Sequence, residues 1–380
     1  MVRIDHIEAF AMSVPVENGI AFGIGRVKRR DTVVVRIRTS GGLVGYGEAH
    51  HARSAGSIAH LINHTLAPLL IGVDANGTSH VWDLVYRLQI KTHGMGQAAV
   101  MALSGIDQAL WDIRGKAANL PLYKLLGGTR RAVPAYAGGV SLGWIEPAKL
   151  VEEVAAAMEG NYNAAKLRVG DVFANDMARV SAVSKAFGDK LEILVDANTN
   201  YTIADALKIV PRLRDHNVAW LEEPFAPHET ASYKALAAVS TVPIATGENH
   251  YTRYDFANLL YGENIHIWQP DISKAGGITE VMRIAALGAA RGVAICPHTS
   301  TTGINMAATI HMLAALENGR YFEGDISEPN PYRTKLTSEP YVVEEGSVVR
   351  PLDKPGIGVE VDEDFIKAHP IQDGLAYILN

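Results

Sequence analysis

The chain has 380 residues, of which 48% are apolar and 20% charged, and its formal net charge is −6 at pH 7. A single core rarely reaches this length, so the sequence predicts two domains or a large barrel with an attached domain. The negative charge argues against nucleic acid and membranes as partners, because both are polyanionic. The N-terminus lacks the apolar core of a signal peptide, and a single cysteine permits no internal disulfide. We therefore expect a cytoplasmic protein with no nucleic-acid or membrane partner.

The N-terminal region has the pattern of an α+β domain. Residues 32–39 alternate and are rich in β-branched side chains, which predicts a strand, and 43–48 predict its returning partner across a Ser-Gly-Gly turn. Apolar residues then recur at helical spacing from about 57 to 118. Because the strands and helices are segregated, residues 1–125 are predicted to form a separate α+β domain.

From residue 133 the pattern changes to short apolar runs that alternate with amphipathic helical segments, at intervals of about 23 to 31 residues. The eight runs are 133–138, 164–169, 193–197, 219–223, 243–248, 266–271, 293–298 and 320–323. Eight β-then-α units at this spacing predict a modified parallel TIM barrel over 126–345. An open doubly wound sheet is disfavoured, since no Gly-rich phosphate turn follows the first run. Residues 346–380 do not continue this alternation and are predicted to be a tail that packs back on the N-terminal domain.

Nearly every predicted barrel strand ends in a polar or ionisable residue. These residues are Lys166, Arg168, Asp196, Asn198, Glu222, Glu248, Asp271, His298 and Glu323. In a parallel barrel the C-terminal ends of the strands form the active site, whereas the rest of each strand is buried. The pattern therefore indicates one polar site rather than a series of solvated surfaces.

Three consecutive strands end in carboxylates, Asp196, Glu222 and Glu248, each 26 residues from the next. Three carboxylates at one rim repel each other unless a cation lies between them. Ligand sets made only of oxygen suit a hard ion, so the predicted cofactor is Mg²⁺, with Mn²⁺ as the alternative.

A pair of cationic side chains flanks these carboxylates on one side of the predicted barrel, and a histidine flanks them on the other. Lys166 and Arg168 are two residues apart on one strand and so share a face. His298 lies at a strand end on the other flank, with Asp271 one strand earlier, where a carboxylate would orient the imidazole. Lys166, His298 and Asp271 are the predicted catalytic residues.

These motifs together resemble the enolase superfamily, and within it the mandelate racemase and muconate lactonizing enzyme type, most of all its acid-sugar dehydratases. The resemblance covers nearly the whole chain, through the segment 102–128, the K-x-R pair and the motifs DAN (196–198), LEEP (221–224), GEN (247–249), QPDISKAGG (269–277), CPHTS (296–300) and FEGD (322–325). It implies a (β/α)₇β barrel capped by the N-terminal domain and the tail, in a homo-oligomer. It also implies that Asp196, Glu222 and Glu248 bind Mg²⁺, that His298 and Asp271 form a dyad, and that Glu323 hydrogen-bonds the substrate carboxylate.

The expected reaction is abstraction of the α-proton of a carboxylate substrate to give an enediolate, followed by elimination of hydroxide. Many relatives have a second lysine where this chain has Arg168, and a guanidinium is a poor base at neutral pH. Racemisation needs groups on both faces of the carbon, so a dehydratase that yields a 2-keto-3-deoxy acid is preferred. A 2-hydroxy-acid racemase or epimerase and a sugar-lactone cycloisomerase stay as alternatives, whereas intact Lys166, His298 and Asp271 argue against a non-catalytic metal-binding scaffold.

The substrate is expected to be a small acid held between the two predicted domains. Arg168, Asn198, Glu323 and His50 are the predicted substrate contacts. The loops at 18–26 and 49–53 are expected to close over the site. Lys274 follows the sixth barrel strand and is expected to point away from the site, as a rim or surface lysine.

Overall fold

A computed structural model describes residues 2–16, 19–262, 265–299 and 301–379. Asn18 of the predicted N-terminal loop and Ser300 of the CPHTS motif lie outside the described residues. Within the described residues, no helix is long and apolar enough to cross a membrane.

The N-terminal domain is an antiparallel sheet covered by helices. Its strands are β1 (Ile4–Pro15), β2 (Ala21–Phe22), β3 (Gly25–Val27), β4 (Arg29–Thr39) and β5 (Val44–Ala49). Its helices are α1 (Ala55–Leu61), α2 (Ala67–Leu70), α3 (Thr78–Val85), α4 (Gln97–Ala118) and α5 (Leu122–Leu125), with π-helical turns at Ile62–Leu66 and Tyr86–Ile90. The main sheet has the order β1-β4-β5, so the predicted hairpin is present and β1 pairs with the other edge of β4, whereas β2 and β3 pair with each other outside this sheet.

The barrel consists of alternating strands and helices over residues 133–325. Its elements are β6 (Val133–Gly138), α6 (Pro147–Glu159), β7 (Ala164–Arg168), α7 (Phe173–Phe187), β8 (Glu192–Asp196), α8 (Ile203–Asp215), β9 (Leu221–Glu222), α9 (Thr230–Ala237), β10 (Ile244–Thr246), α10 (Thr252–Gly262), β11 (Ile267–Trp268), α11 (Gly277–Ala289), β12 (Ala294–Ile295), α12 (Gly303–Ala315) and β13 (Phe322–Asp325), with a 3₁₀ turn at Gly188–Lys190. Each predicted apolar run overlaps one of these strands.

The eight barrel strands are parallel and follow the order β12-β11-β10-β9-β8-β7-β6-β13. The segment before β13 continues this order back to β12, since the backbone N–H of Ile295 donates to Asn318 O and that of Arg320 donates to Ile295 O, both at 2.9 Å. The chain therefore forms a (β/α)₇β barrel, and all eight strands direct their C-terminal ends to one rim.

The remaining elements belong to the C-terminal part of the chain. They are α13 (Pro331–Thr334), β14 (Val348–Val349), α14 (Glu363–Ala368) and β15 (Tyr377–Ile378). β14 pairs with the barrel strand β6. Further on, the tail contacts the N-terminal domain, because Tyr46 donates to Glu363 at 2.6 Å and β15 pairs with β3. The tail thus joins the two domains.

Helix α4 of the N-terminal domain also contacts the first turn of barrel helix α11. The carboxylate of Asp107 accepts hydrogen bonds from the Thr279 N–H at 2.9 Å and from its hydroxyl at 2.6 Å. Trp111 donates to the same hydroxyl at 2.9 Å. These buried bonds fix the N-terminal domain against the barrel beside the loop that carries Asp271.

Candidate active site

Neighbouring strands bring the predicted polar residues together at one rim. In the parallel register Arg168 lies opposite Asp196, and Asp196 lies opposite Glu222. Glu248 follows the next strand, β10, which pairs with β9. Register partners on parallel strands share a level of the barrel, so these side chains meet inside the rim.

Lys166 lies in the interior of this site and has no exposed surface. Its ammonium is 2.7 Å from a Glu222 carboxylate oxygen, 2.9 Å from Glu323 and 3.6 Å from Asp196. Burial alone would lower the pKa of Lys166, but these three carboxylates raise it above its ordinary value. Lys166 is therefore a fixed positive charge in this arrangement.

Arg168 is held at the pocket floor by several acceptors. Its guanidinium pairs with Asp196, is 3.2 Å from the Asn198 side-chain oxygen, and donates to the Gly139 carbonyl at 2.7 Å. The ring of Phe22, in the N-terminal loop, covers the guanidinium at 5.2 Å. Asn198 thus positions Arg168 in addition to lining the pocket.

The three predicted metal ligands are each engaged by protein donors. Glu222 accepts from Lys166 at one oxygen and from Gln269 at 2.6 Å at the other. Burial raises the pKa of Glu222 to about 7, Lys166 opposes the shift, and Asp196 is among the carboxylates that add to it. Glu248 lies 3.3 Å from His298. As the side chains stand, no group of three His, Cys, Asp or Glu within the described residues is close enough to hold a metal ion.

The chemistry of the donors nevertheless fits a divalent cation. Six carboxylates surround the site, but only three permanently charged cations lie among them. The acids are Asp196, Glu222, Glu223, Glu248, Asp271 and Glu323, and the cations are Lys166, Arg168 and Lys274. An excess of buried negative charge is costly unless it is neutralised. Asp196, Glu222 and Glu248 lie at or just beyond the ends of neighbouring strands, so these are the three carboxylates that would hold the ion.

His298 and Asp271 form the predicted dyad. The Nδ1 of His298 is 2.7 Å from the carboxylate of Asp271, whose other oxygen accepts the backbone N–H of Ser273 at 2.6 Å. Burial alone would lower the pKa of His298, but Glu248 and Asp271 raise it above its ordinary value. The hydrogen bond at Nδ1 leaves Nε2 as the atom that can exchange a proton.

A cavity of about 160 Å³ lies between this rim and the N-terminal domain. Its lining residues are Phe22, Ile24, Arg30, His50, His51, Arg53, Gly139, Val140, Arg168, Asn198, Glu223, Glu248, Asn249, Lys274, His298, Thr299, Thr301 and Tyr377. Both predicted closing loops contribute to it, and so does the tail. Of the predicted catalytic residues only His298 lines this cavity, whereas Lys166 and Asp271 lie behind its wall. Glu323 also lies behind the wall, and its substrate contact stays a prediction.

The structure corrects one expectation, that Lys274 points away from the site. Lys274 is buried, lines the cavity, and has its ammonium 3.5 Å from Glu248. The expectation assumed strand alternation, but β11 ends at Trp268. The backbone N–H of Lys274 donates to Asp271 O at 3.0 Å, so the chain turns helically here and the two residues share a face.

Sequence reasoning also missed Arg30, Glu223 and Tyr377, which line the cavity. Arg30 is the second residue of β4, whose start the sequence predicts at residue 32, and Tyr377 reaches the site through the pairing of β15 with β3. Glu223 had a signal, because it directly follows the predicted ligand Glu222.

Two family models match this chain. The model described as the mandelate racemase and muconate lactonizing enzyme N-terminal domain matches residues 6–127, and the one described as enolase C-terminal domain-like matches residues 149–365. Together they cover both domains and most of the barrel.

Among curated proteins, the chain is 34% identical to an arabinonate dehydratase of Saccharolobus solfataricus, over 89% of this chain and 90% of that protein. It is 32% identical to a D-galactarolactone cycloisomerase of Agrobacterium fabrum, over 90% of this chain and 92% of that protein. These relatives are a dehydratase and a cycloisomerase that act on sugar acids or their lactones.

Solved structures are also similar to this chain over nearly its whole length. An enolase-superfamily member from Polaromonas sp. JS666 has a TM-score of 0.97 and 47% identity, covering 99% of this chain and 100% of that one. A racemase from Streptomyces coelicolor A3(2), with bound magnesium, has a TM-score of 0.89 and 28% identity, covering 97% and 100%.

Proposed function

The chain belongs to the mandelate racemase and muconate lactonizing enzyme family of the enolase superfamily, and from this premise we propose that it is a Mg²⁺-dependent sugar-acid dehydratase. Dehydration removes the α-proton of the acid and a hydroxide from the neighbouring carbon, which gives an enol that becomes a 2-keto-3-deoxy acid. The atoms balance as loss of one water.

The observation that carries this proposal is the accessibility of the two candidate bases. His298 lines the cavity and is held at Nδ1 by Asp271, whereas Lys166 is enclosed by three carboxylates and has no surface in the cavity. Of these two candidate bases, a substrate in the cavity therefore meets only His298. Racemisation needs such groups on both faces, while elimination is complete with one.

In this proposal Asp196, Glu222 and Glu248 hold Mg²⁺, which supplies positive charge to the substrate carboxylate as that group gains electron density. Arg168 lies at the cavity floor and binds the same carboxylate, and Lys166 adds its charge from behind. Nε2 of His298 takes the α-proton. The resulting imidazolium, stabilised by Asp271, then delivers the proton to the departing hydroxyl.

The test is solvent deuterium exchange at the substrate α-carbon, together with 2-keto acid formation, across a panel of sugar acids. His298→Asn should abolish both exchange and product. Lys166→Met should slow turnover and weaken binding while slow exchange persists. If the His298 variant still exchanges and the Lys166 variant does not, Lys166 is the abstracting base and the mechanism is wrong.

A second candidate is a cycloisomerase, and the similarity to the galactarolactone enzyme favours it. It uses the same proton abstraction by His298, but the leaving group is the ring oxygen of a lactone. Incubation with sugar lactones and with open acids separates the two. Product from lactones alone would identify the cycloisomerase.

A further inference from the structure

The cavity has two ends that differ in chemistry. The barrel end contains Arg168, Glu248 and His298, where the reaction is proposed. The opposite end, here called the distal end, is built by Arg30, His50, His51, Arg53 and Tyr377 from the N-terminal domain and the tail. No carboxylate is among these five residues.

His50 and His51 line the cavity, and each has its Nδ1 occupied as an acceptor. The Nδ1 of His50 accepts the backbone N–H of Ala52 at 3.1 Å, and the Nδ1 of His51 accepts that of Arg53 at 2.9 Å. Burial, with the positive charge of Lys274 nearby, lowers the pKa of His51 to about 3 and that of His50 well below its ordinary value. Each neutral ring must therefore carry its hydrogen on Nε2.

Arg30 contributes a second kind of donor. One guanidinium nitrogen, Nη2, pairs with Asp325 at 2.7 Å. The other, Nη1, is buried and has no hydrogen-bond partner among the described residues. A buried guanidinium N–H without an acceptor is unfavourable, so this atom is suited to an acceptor that a ligand brings.

Arg53 supplies a positive charge that is not neutralised. Its guanidinium lies over the Tyr377 ring at 5.0 Å, and no ion pair of the described residues includes it. The Tyr377 ring in turn stacks on His51 at 6.2 Å. The distal end thus combines side-chain donors with net positive charge.

We propose that the distal end binds a second carboxylate of the substrate, so that the enzyme acts on sugar diacids or their lactones in preference to mono-acids. This inference rests on the proposed function, because the first carboxylate must lie at the barrel end. A carboxylate only accepts hydrogen bonds and carries negative charge, which matches a surface of donors. The terminal hydroxyl of a mono-acid must also donate, and the side chains here offer it little to donate to.

The first experiment compares kinetics on a six-carbon sugar diacid and on the mono-acid of the same configuration. Arg53 is exposed, so Arg53→Met is expected to fold. It should lower kcat/KM for the diacid on the order of 10- to 100-fold, mainly through KM, and leave the mono-acid nearly unchanged. Arg212→Met, an exposed arginine on α8, is the matched control and should change neither.

The second experiment measures binding without turnover, by calorimetry with glutarate and valerate in Mg²⁺-containing buffer. Glutarate has a carboxylate at each end and valerate has one, and neither carries a hydroxyl to eliminate. The wild type should bind glutarate more tightly, and Arg53→Met or His51→Leu should remove that preference.

The outcomes separate the two proposals. Equal binding of glutarate and valerate by the wild type, or an equal effect of Arg53→Met on both substrates, overturns the second-carboxylate site and leaves the proposed reaction intact. If no acid exchanges its α-proton but the glutarate preference is present and falls in Arg53→Met, the reaction is wrong and the site stands.

Discussion

At the scale of single residues, Glu222 shows how tightly the charges in the site are balanced. It has no exposed surface, and both carboxylate oxygens have donors, from Lys166 on one side and Gln269 on the other. Glu222→Gln keeps the size of the side chain and removes its charge. We expect Mg²⁺ affinity to fall roughly 100-fold or more, together with loss of activity.

Calorimetric titration of chelator-treated protein with Mg²⁺ alone measures this effect apart from catalysis. Glu159→Gln, at an exposed position of α6, is the control and should bind as the wild type does. Unchanged Mg²⁺ affinity in Glu222→Gln would show that this carboxylate is not a ligand. Full activity after removal of divalent ions would contradict the metal requirement itself.

Asp271 acts on the reaction through the ring of His298. Asp271→Asn removes the charge that stabilises the imidazolium but keeps a side chain of the same shape. The rate of α-proton exchange should fall on the order of 100-fold or more, while KM changes little. Exchange at the wild-type rate would mean that the 2.7 Å contact between the two side chains has no part in proton transfer.

Residue positions were predictable from the sequence where strand alternation holds, and not where it ends. Arg168, Asp196 and Glu222 lie at strand termini as expected, because β7, β8 and β9 extend to these residues. Lys274 lies in a helical turn after β11, so a face assigned by alternation was wrong. The roles of Asp196 and Glu222 as metal ligands and of Arg168 as a substrate contact stay predictions.

At the scale of elements, His311 on α12 joins three segments through its two ring nitrogens. Its Nδ1 accepts the backbone N–H of Tyr123 at 3.1 Å, and its Nε2–H donates to Ile357 O at 3.0 Å. The bond from Tyr123 requires the neutral ring, since a proton on Nδ1 would face another N–H, whereas Nε2–H can donate in either protonation state. Burial lowers the pKa of His311 to about 4.

The consequence is a loss of stability in acid. The folded state binds this proton more weakly than the unfolded state, in which the pKa is about 6.5. The contribution of neutral His311 to the free energy of unfolding is therefore fully present above pH 6.5 or so. It falls by roughly 3 kcal/mol as the pH drops toward about 4. Urea unfolding at several pH values should show a shallower acid decline in His311→Gln than in the wild type. His93→Gln, at an exposed position, is the control and should reproduce the wild-type slope.

The element pattern explains why some strands were predicted and others were missed. The hairpin β4–β5 and the barrel strands are buried runs of apolar residues whose signal is local. β1 mixes exposed His6 and half-buried Glu8 with buried Ile4 and Ile7, and it is defined by eleven paired positions against β4. β15 has two residues, and tertiary pairing with β3 alone makes it a strand.

At the scale of the whole molecule, the cavity is completed by parts of the chain that are distant in sequence. The barrel supplies the reacting groups, the N-terminal loops supply Phe22 and His50, and the tail supplies Tyr377. β15 and β2 both pair with β3, so the tail holds the loop that covers Arg168. Closure of the site is thus a property of the assembled domains, which local sequence patterns do not encode.

Removal of residues 377–380 tests this arrangement. Few core contacts are lost, so the melting temperature should fall by only a few degrees. The loop at 21–27 should become sensitive to trypsin at Arg26, and KM should rise on the order of 10-fold because the cavity loses one wall. Removal of residues 379–380 alone leaves β15 in place and should change neither quantity. If the longer truncation also leaves proteolysis and KM as in the full chain, the loop stays closed without the tail, and contacts such as that of Phe22 with Arg168 must hold it.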